Sequence, residues 1–101
     1  MKTTIKFALL AASISCALHG AEVAKVDCVT DAVAIKAEIS ANQSQVLTIV
    51  EKAVRANSSC SCEIVKAAIT ATNAEVELVA SIVEVVAVSA PEQMRLAAQC
   101  A

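Results

Sequence analysis

Aromatic residues are nearly missing from this chain of 101 residues, which contains one Phe and neither Trp nor Tyr. It also contains a single Gly, a single Pro and a single His. So few chain breakers, set among many Ala and Val residues, favour an all-α protein over a loop-rich one. No apolar run reaches the roughly 18 residues that a membrane-spanning helix needs. The sequence therefore predicts one small helical domain.

The N-terminal residues 1–20 are predicted to be a secretory signal peptide. Lys2 and Lys6 supply its positive charge, and the uncharged stretch 7–14 follows them. Small residues come next, and we expect cleavage after Gly20. Residues 21–101 then form a single helical domain, which is predicted to be secreted or periplasmic.

Other interpretations of this segment stay open. A second cleavage point follows Ala17, the segment could be an amphipathic anchor, and Cys16 could carry a lipid. Cleavage after Gly20 leaves no aromatic residue, His or Gly, and its six basic and ten acidic residues give a net charge of −4. Such a domain lacks both the positive charge and the stacking surfaces that nucleic-acid binding uses, so nucleic acid is excluded as a partner class.

One short sequence motif of helical character, which we call the helical phrase, occurs four times along the chain. Its copies occupy residues 34–42, 49–57, 64–72 and 82–90, with spacings of 15, 15 and 18 residues. Each spacing accommodates one helix of about three turns and a tight turn. Short turns make successive helices antiparallel, so the sequence predicts an antiparallel bundle of four short helices plus a fifth C-terminal helix.

Five helices follow from apolar periodicity and capping signals. They are predicted at 28–41 behind an Asp27 cap, 45–56, 62–71, from the capping box at Thr72 to about residue 88, and 92–99. Further capping boxes are predicted at Asn42 with Gln45 and at Ser89 with Glu92. A strand at 82–88 is the alternative for a segment rich in β-branched residues.

The fourth helix is predicted to be the most buried of the set. Glu77, Ser81 and Glu84 form its only polar stripe, and nearly every other position is apolar. We expect this helix to lie at the centre of the bundle. Val79→Asp or Val83→Asp should then unfold the domain by burying an unpaired charge.

Catalytic groups are sparse. Once His19 has left with the signal, no His-assisted Ser or Cys nucleophile remains, and a chain without Gly has no phosphate-binding loop. The carboxylate pairs Asp27 with Asp31 and Glu75 with Glu77 are predicted to be solvated charges in first helical turns, where they favour the helix dipole. The sequence predicts no enzyme, no catalytic residue and no cofactor.

Four cysteines remain after the signal: Cys28, Cys60, Cys62 and Cys100. An exported chain meets oxidising conditions, so we expect structural disulfides; a redox dithiol and a four-cysteine metal site are the alternatives. The antiparallel path brings Cys28 beside Cys60 and Cys62. A Cys60–Cys62 bond would close a very small strained ring. One of these two is therefore expected to bond Cys28 and the other Cys100, and the connectivity stays open.

Three motifs carry a resemblance. They are the phrase I-V-[EK]-x-A-[VI]-x-A, the block C-S-C-E-I-V-K-A-A-I at 60–69 and A-P-E-Q-M-R-L at 90–96. With these motifs, which cover roughly residues 45–101, the chain resembles a group of uncharacterised short exported bacterial α-helical repeat proteins. The resemblance implies a secreted α-helical fold and no particular activity.

A repeated amphipathic helix, in a chain that has no predicted catalytic or cofactor-binding residues, indicates a small exported structural or protein-interaction module. Such a module binds another protein, or a second copy of itself, through helix faces. The alternative is a hydrophobic-ligand or lipid carrier, in which the apolar faces enclose a ligand. A third possibility is an extracytoplasmic dithiol redox protein that uses the C-x-C motif.

Overall fold

The computed structural model describes residues 27–101, and the predicted signal segment with its alternative cleavage points and Cys16 lies outside these residues. Five α-helices follow one another, and short 3-10 turns precede the second, third and fifth. The helices are α1 (Cys28–Ala41), α2 (Val46–Ala56), α3 (Ser61–Thr72), α4 (Val76–Ser89) and α5 (Met94–Cys100). The 3-10 turns are Gln43–Gln45, Ser58–Cys60 and Pro91–Gln93. The all-α, disulfide-stapled fold is thereby confirmed, and no strand occurs within residues 27–101.

Asp27 begins α1 as predicted. Its side chain accepts hydrogen bonds from the backbone N–H groups of Val29 and Thr30 at 3.1 and 3.3 Å, which satisfies two donors that the first helical turn leaves free. The Thr30 hydroxyl donates to the other carboxylate oxygen at 2.8 Å. That hydroxyl, followed by the two backbone groups, holds the pKa of Asp27 below its usual value of 3.8.

The predicted capping box at Thr72 is wrong. Thr72 is the last residue of α3, and its hydroxyl donates back to the Ala68 carbonyl at 2.8 Å. Asn73 then ends α3 in the left-handed conformation with φ 51°, which Asn tolerates better than most residues. As a result, α4 begins at Val76, with an extended Glu75 before it and no side-chain cap.

The other two predicted capping boxes are also wrong. Asn42 donates its side-chain amide to the Glu38 carbonyl at 3.2 Å, and so closes α1 instead of capping the next helix. Ser89 is the last residue of α4, and Ala90 precedes the turn that Pro91 begins. In both places a short 3-10 turn joins the two helices, and no side chain caps that turn.

The most extensive contacts are between helices separated by one other helix along the chain: α1 with α3, α2 with α4, and α3 with α5. The first pair runs parallel, because a disulfide joins Cys28 to Cys60 at one end and Gln43 donates to the Ala71 carbonyl at the other, 3.2 Å away. The chain thus forms two antiparallel hairpins, α1–α2 and α3–α4, stacked side by side. One layer contains α1, α3 and α5, and the other contains α2 and α4.

The central helix is α3, and the prediction that α4 holds this position is wrong. Helix α3 contacts all four other helices. It contributes five buried residues: Ser61, Ile64, Val65, Ala67 and Ala68. Helix α4 contributes only Ile82 and Val86, and its Val79 and Val83 are half-buried. The reason is topological: α3 lies in the middle of a layer of three helices, whereas α4 belongs to a layer of two and, among residues 27–101, has a neighbouring helix in that layer on one side only.

The core contains apolar side chains from all five helices. Its largest fully buried side chains are Ile39, Val50, Val54, Ile64, Val65, Ile82 and Val86. The one buried polar residue within 27–101, Ser61, donates its hydroxyl to the Ser58 carbonyl at 2.6 Å. A buried hydroxyl with a partner of this kind costs little.

Candidate interaction surfaces

The four cysteines form two disulfides at one end of the molecule. Cys28 is bonded to Cys60 and Cys62 to Cys100, with Cα–Cα distances of 5.3 and 5.5 Å. Both bonds lie within one layer: the first joins α1 to the 3-10 turn before α3, and the second joins α3 to α5. The two cysteines of the C-x-C motif therefore belong to different bridges, and Cys60 is fully buried.

The carboxylates singled out in the sequence do not form a shared site. Asp27 caps α1, whereas Asp31 accepts a long hydrogen bond of 3.5 Å from the Asn57 side chain. Glu75 and Glu77 are exposed beside the start of α4. Across residues 27–101, no three His, Cys, Asp or Glu side chains lie close enough together to hold a metal ion.

A shallow apolar groove runs between the parallel helices α1 and α3, and we call it the valine groove. Its lining is Val29, Ala32, Val33 and Lys36 from α1, with Glu63, Lys66, Ala67 and Thr70 from α3. The groove has a volume of about 260 Å³. Val29 and Val33 are 68% and 65% exposed. Val29 and Val33, one helical turn apart, therefore expose their apolar side chains to solvent beside Ala32 and Ala67.

The charge around the valine groove differs from that of the domain. Within residues 27–101 acidic residues outnumber basic ones, by nine to five. Lys36 and Lys66 both border the groove, whereas Glu63 is its only acid. A positive edge therefore flanks an apolar strip on an acidic protein.

A second groove, between α2 and α4, is more polar. Leu47, Val85 and Val88 line it together with Glu51, Glu84 and two serines, and its volume is about 280 Å³. Glu51 also forms a surface ion pair with Arg55 at 3.1 Å. This groove has no basic edge, since its charged lining residues are both acidic.

The side of α4 that faces away from the α2–α4 groove carries an apolar stripe, which we call the α4 stripe. It consists of Val76, Ala80, Val83 and Ala87, spaced by 4, 3 and 4 residues along one helix face. Val76 is 83% exposed, Ala80 is exposed, and the other two are half-buried. An open concavity of about 710 Å³ surrounds its first turn. The stripe contains no charged or polar side chain.

Sequence reasoning missed both apolar surfaces. Val29 and Val33 follow each other at i, i+4, outside the apolar stripe that periodicity predicts for α1, which consists of Cys28, Ala32, Ile35 and Ile39. A second i, i+4 apolar pair on the part of the helix surface next to that stripe was the available signal. On α4 the apolar residues surround most of the helix, so periodicity alone gave no indication of which side lacks a neighbour.

The interior leaves little space for a ligand. Isoleucine and valine side chains fill the region between the two layers, and the described hydrophobic core forms one contiguous cluster. The grooves beside α1–α3 and α2–α4 lie at the surface and are smaller than the roughly 300–1,000 Å³ of typical small-molecule pockets. The larger concavity at the start of α4 is lined by only five residues around a turn.

Comparisons of the chain with protein-family models, with curated proteins and with solved structures find no match. None of the helices within residues 27–101 combines the length and the hydropathy needed to cross a membrane.

Proposed function

We propose that this protein is a small exported structural or interaction module, which binds another protein through the valine groove and performs no catalysis. The observation that carries the proposal is the exposure of Val29 and Val33 on a rigid pair of helices. Contiguous exposed apolar side chains with a polar rim are typical of protein–protein contact sites.

The groove is held in shape at both ends. The Cys28–Cys60 disulfide ties the start of α1 to the turn before α3, and the Gln43 amide reaches the Ala71 carbonyl at the far end. A surface fixed in this way loses little conformational entropy when a partner binds, and that preorganisation favours affinity.

The shape and the charge of the groove define the partner's chemistry. Ala32 and Ala67 supply a floor of short side chains, which allows a helix to approach closely, and Val29 and Val33 form the apolar wall. Lys36 and Lys66 would meet acidic residues on the flanks of that helix. We therefore infer a partner that presents an amphipathic helix with an acidic border, in the helix-in-groove mode.

Export is part of the same proposal. The two disulfides are compatible with an oxidising, extracytoplasmic location. The basic and apolar pattern of residues 1–20 supports a secretory signal, and a secreted or periplasmic location follows from it.

Two synthetic peptides test the proposal. Both are amphipathic helices with the same Leu/Ala stripe; one has Glu on its flanks and the other has Lys. The disulfide-intact protein should bind the Glu peptide in a calorimetric titration and bind the Lys peptide far more weakly. Val33→Asp should abolish binding of the Glu peptide, and Lys66→Glu should shift the preference toward the Lys peptide.

Thr48→Asp is the matched control, because Thr48 is exposed on α2, outside the valine groove. Equal binding of the two peptides, or unchanged binding by Val33→Asp with normal helicity, would contradict the proposal. Co-purification of lipid with the exported protein, detected by native mass spectrometry, would instead support the hydrophobic-ligand carrier.

A further inference from the structure

Internal repetition singles out the α4 stripe as a helix face that no other helix of residues 27–101 covers completely. Aligning the phrase at 49–57 with the phrase at 82–90 makes Val50 equivalent to Val83 and Val54 equivalent to Ala87. Val50 and Val54 are fully buried, whereas Val83 and Ala87 are only half-buried. The same face is therefore covered in α2 and open in α4.

In α2, the element that lies beside this face at Leu47 is helix α4. Helix α4 stacks beside α2, and Leu47 shares a groove with Val85 and Val88 of α4. Leu47 is half-buried there, while its equivalent Ala80 is exposed. By the geometry of the layer, the element that fits against the α4 stripe is another amphipathic helix lying alongside α4.

The α4 stripe is complementary to itself. When two copies of α4 are placed antiparallel about a two-fold axis between residues 80 and 83, Val76 faces Ala87 of the second copy. In the same register Ala80 faces Val83. Every contact along the stripe then pairs a larger side chain with a smaller one, as interdigitating helices require.

We propose that this protein forms a two-fold symmetric dimer through its α4 stripes. An isologous contact of this kind uses the same patch on both copies and closes at two subunits. Helix α4 has 14 residues and is about 21 Å long at 1.5 Å per residue. One helix pair of that length forms a small contact, so the dimer is weak and depends on concentration.

The charges beside the stripe give the dimer a distinctive salt dependence. Glu77 and Glu84 are exposed along one border of the α4 stripe. The two-fold axis brings Glu84 of one copy toward Glu77 of the second copy along the same edge. Like charges there oppose association, and salt screens them. Dimerisation should therefore strengthen as salt is raised, whereas binding of an acidic helix in the valine groove should weaken.

Sedimentation equilibrium of the disulfide-intact protein over a wide concentration range tests the proposal. The wild-type protein should fit a monomer–dimer equilibrium with no larger species. Ala80→Glu buries an unpaired charge against Val83 of the second copy, and should weaken dimerisation by more than about tenfold. Circular dichroism should show the same helicity, because Ala80 is exposed in the monomer.

Ala34→Glu is the matched control, since it makes the same change at an exposed position of α1 and should dimerise like the wild type. A protein that stays monomeric at every concentration, open-ended oligomers, or an Ala80→Glu variant that dimerises normally would each overturn the dimer. The valine groove lies between α1 and α3, so peptide binding by Ala80→Glu reports on the proposed function separately.

Discussion

Val65→Ala tests which helix is central to the fold. Val65 is fully buried on α3, so truncation removes two methyl groups from the core. At about 0.8 kcal/mol per buried methylene, the transfer loss is about 1.6 kcal/mol. The cavity left behind adds about 1 kcal/mol, and the better helix propensity of Ala returns up to about 0.5 kcal/mol. We expect a net loss of about 2 kcal/mol of unfolding free energy.

Val33→Ala provides the matched control. The substitution is identical and also lies inside a helix, but Val33 is 65% exposed. Little apolar area is lost, and the propensity gain offsets it, so the expected change is within about 0.5 kcal/mol of zero. For a domain of this size, the difference between the two variants corresponds to roughly 10 °C in melting temperature.

Far-ultraviolet circular dichroism is the suitable assay, because a chain without Trp or Tyr gives little intrinsic fluorescence signal. Thermal and urea unfolding should be followed with both disulfides intact. Val83→Ala, half-buried on α4, should fall between the other two variants. If Val65→Ala has the same melting temperature as Val33→Ala, or if Val83→Ala lowers the melting temperature most, then α3 is not the centre of the core.

Three further results are expected. Replacing both Cys28 and Cys60 by Ser opens a bridge spanning 32 residues and should cost about 3.7 kcal/mol on the chain-entropy estimate; an unchanged urea midpoint would count against the bond. The pKa of Asp27 is lower in the folded state than its usual value of 3.8. The stability that its ionised carboxylate gives the fold is therefore present above pH 3.8 and is lost as the pH falls through the folded-state pKa. Melting of Asp27→Ala should accordingly depend less on pH in that range than melting of the wild type. Asn73 has φ 51°, so Asn73→Ala should lower the free energy of unfolding by about 1 kcal/mol, whereas Asn73→Gly should not lower it. Equal melting temperatures for these two variants would exclude backbone strain at this position.

Apolar periodicity was sufficient to predict α2. The apolar side that periodicity predicts consists of Val46, Leu47, Ile49, Val50, Ala53 and Val54, and all six are buried or half-buried. The predicted range 45–56 differs from Val46–Ala56 at a single residue. The pattern is clear because Glu51, Lys52 and Arg55 together occupy the other side. Local sequence is enough where polar and apolar residues divide a helix into two faces.

Helix α4 shows where the same reasoning fails. Its many apolar residues indicate burial, but burial depends on how many helices surround α4, and that number is fixed by the stacking of hairpins. Helix α3 has fewer apolar residues and more neighbours. Short-range patterns give no information about which layer a helix joins or whether the layer continues beyond it.

The cysteine pairing was open for a related reason. Cys60 and Cys62 lie at the junction of a 3-10 turn with α3, two residues apart. Successive positions on a helix rotate by about 100°, so the two thiols point to nearly opposite sides. One side faces α1 and the other faces α5, and this assignment requires knowing that α1 and α5 flank α3 in the same layer.

The distribution of the disulfides explains why the two layers differ. Both bonds lie in the layer of α1, α3 and α5, where they compensate for a core built from Ala, Val and Ile without any buried aromatic ring. The layer of α2 and α4 has no covalent tie among the described residues and depends on packing alone. The valine groove is therefore a fixed surface suited to recognition. The α4 stripe lies in the layer that gains most from an added helix, because every apolar contact made there strengthens a layer that no disulfide supports.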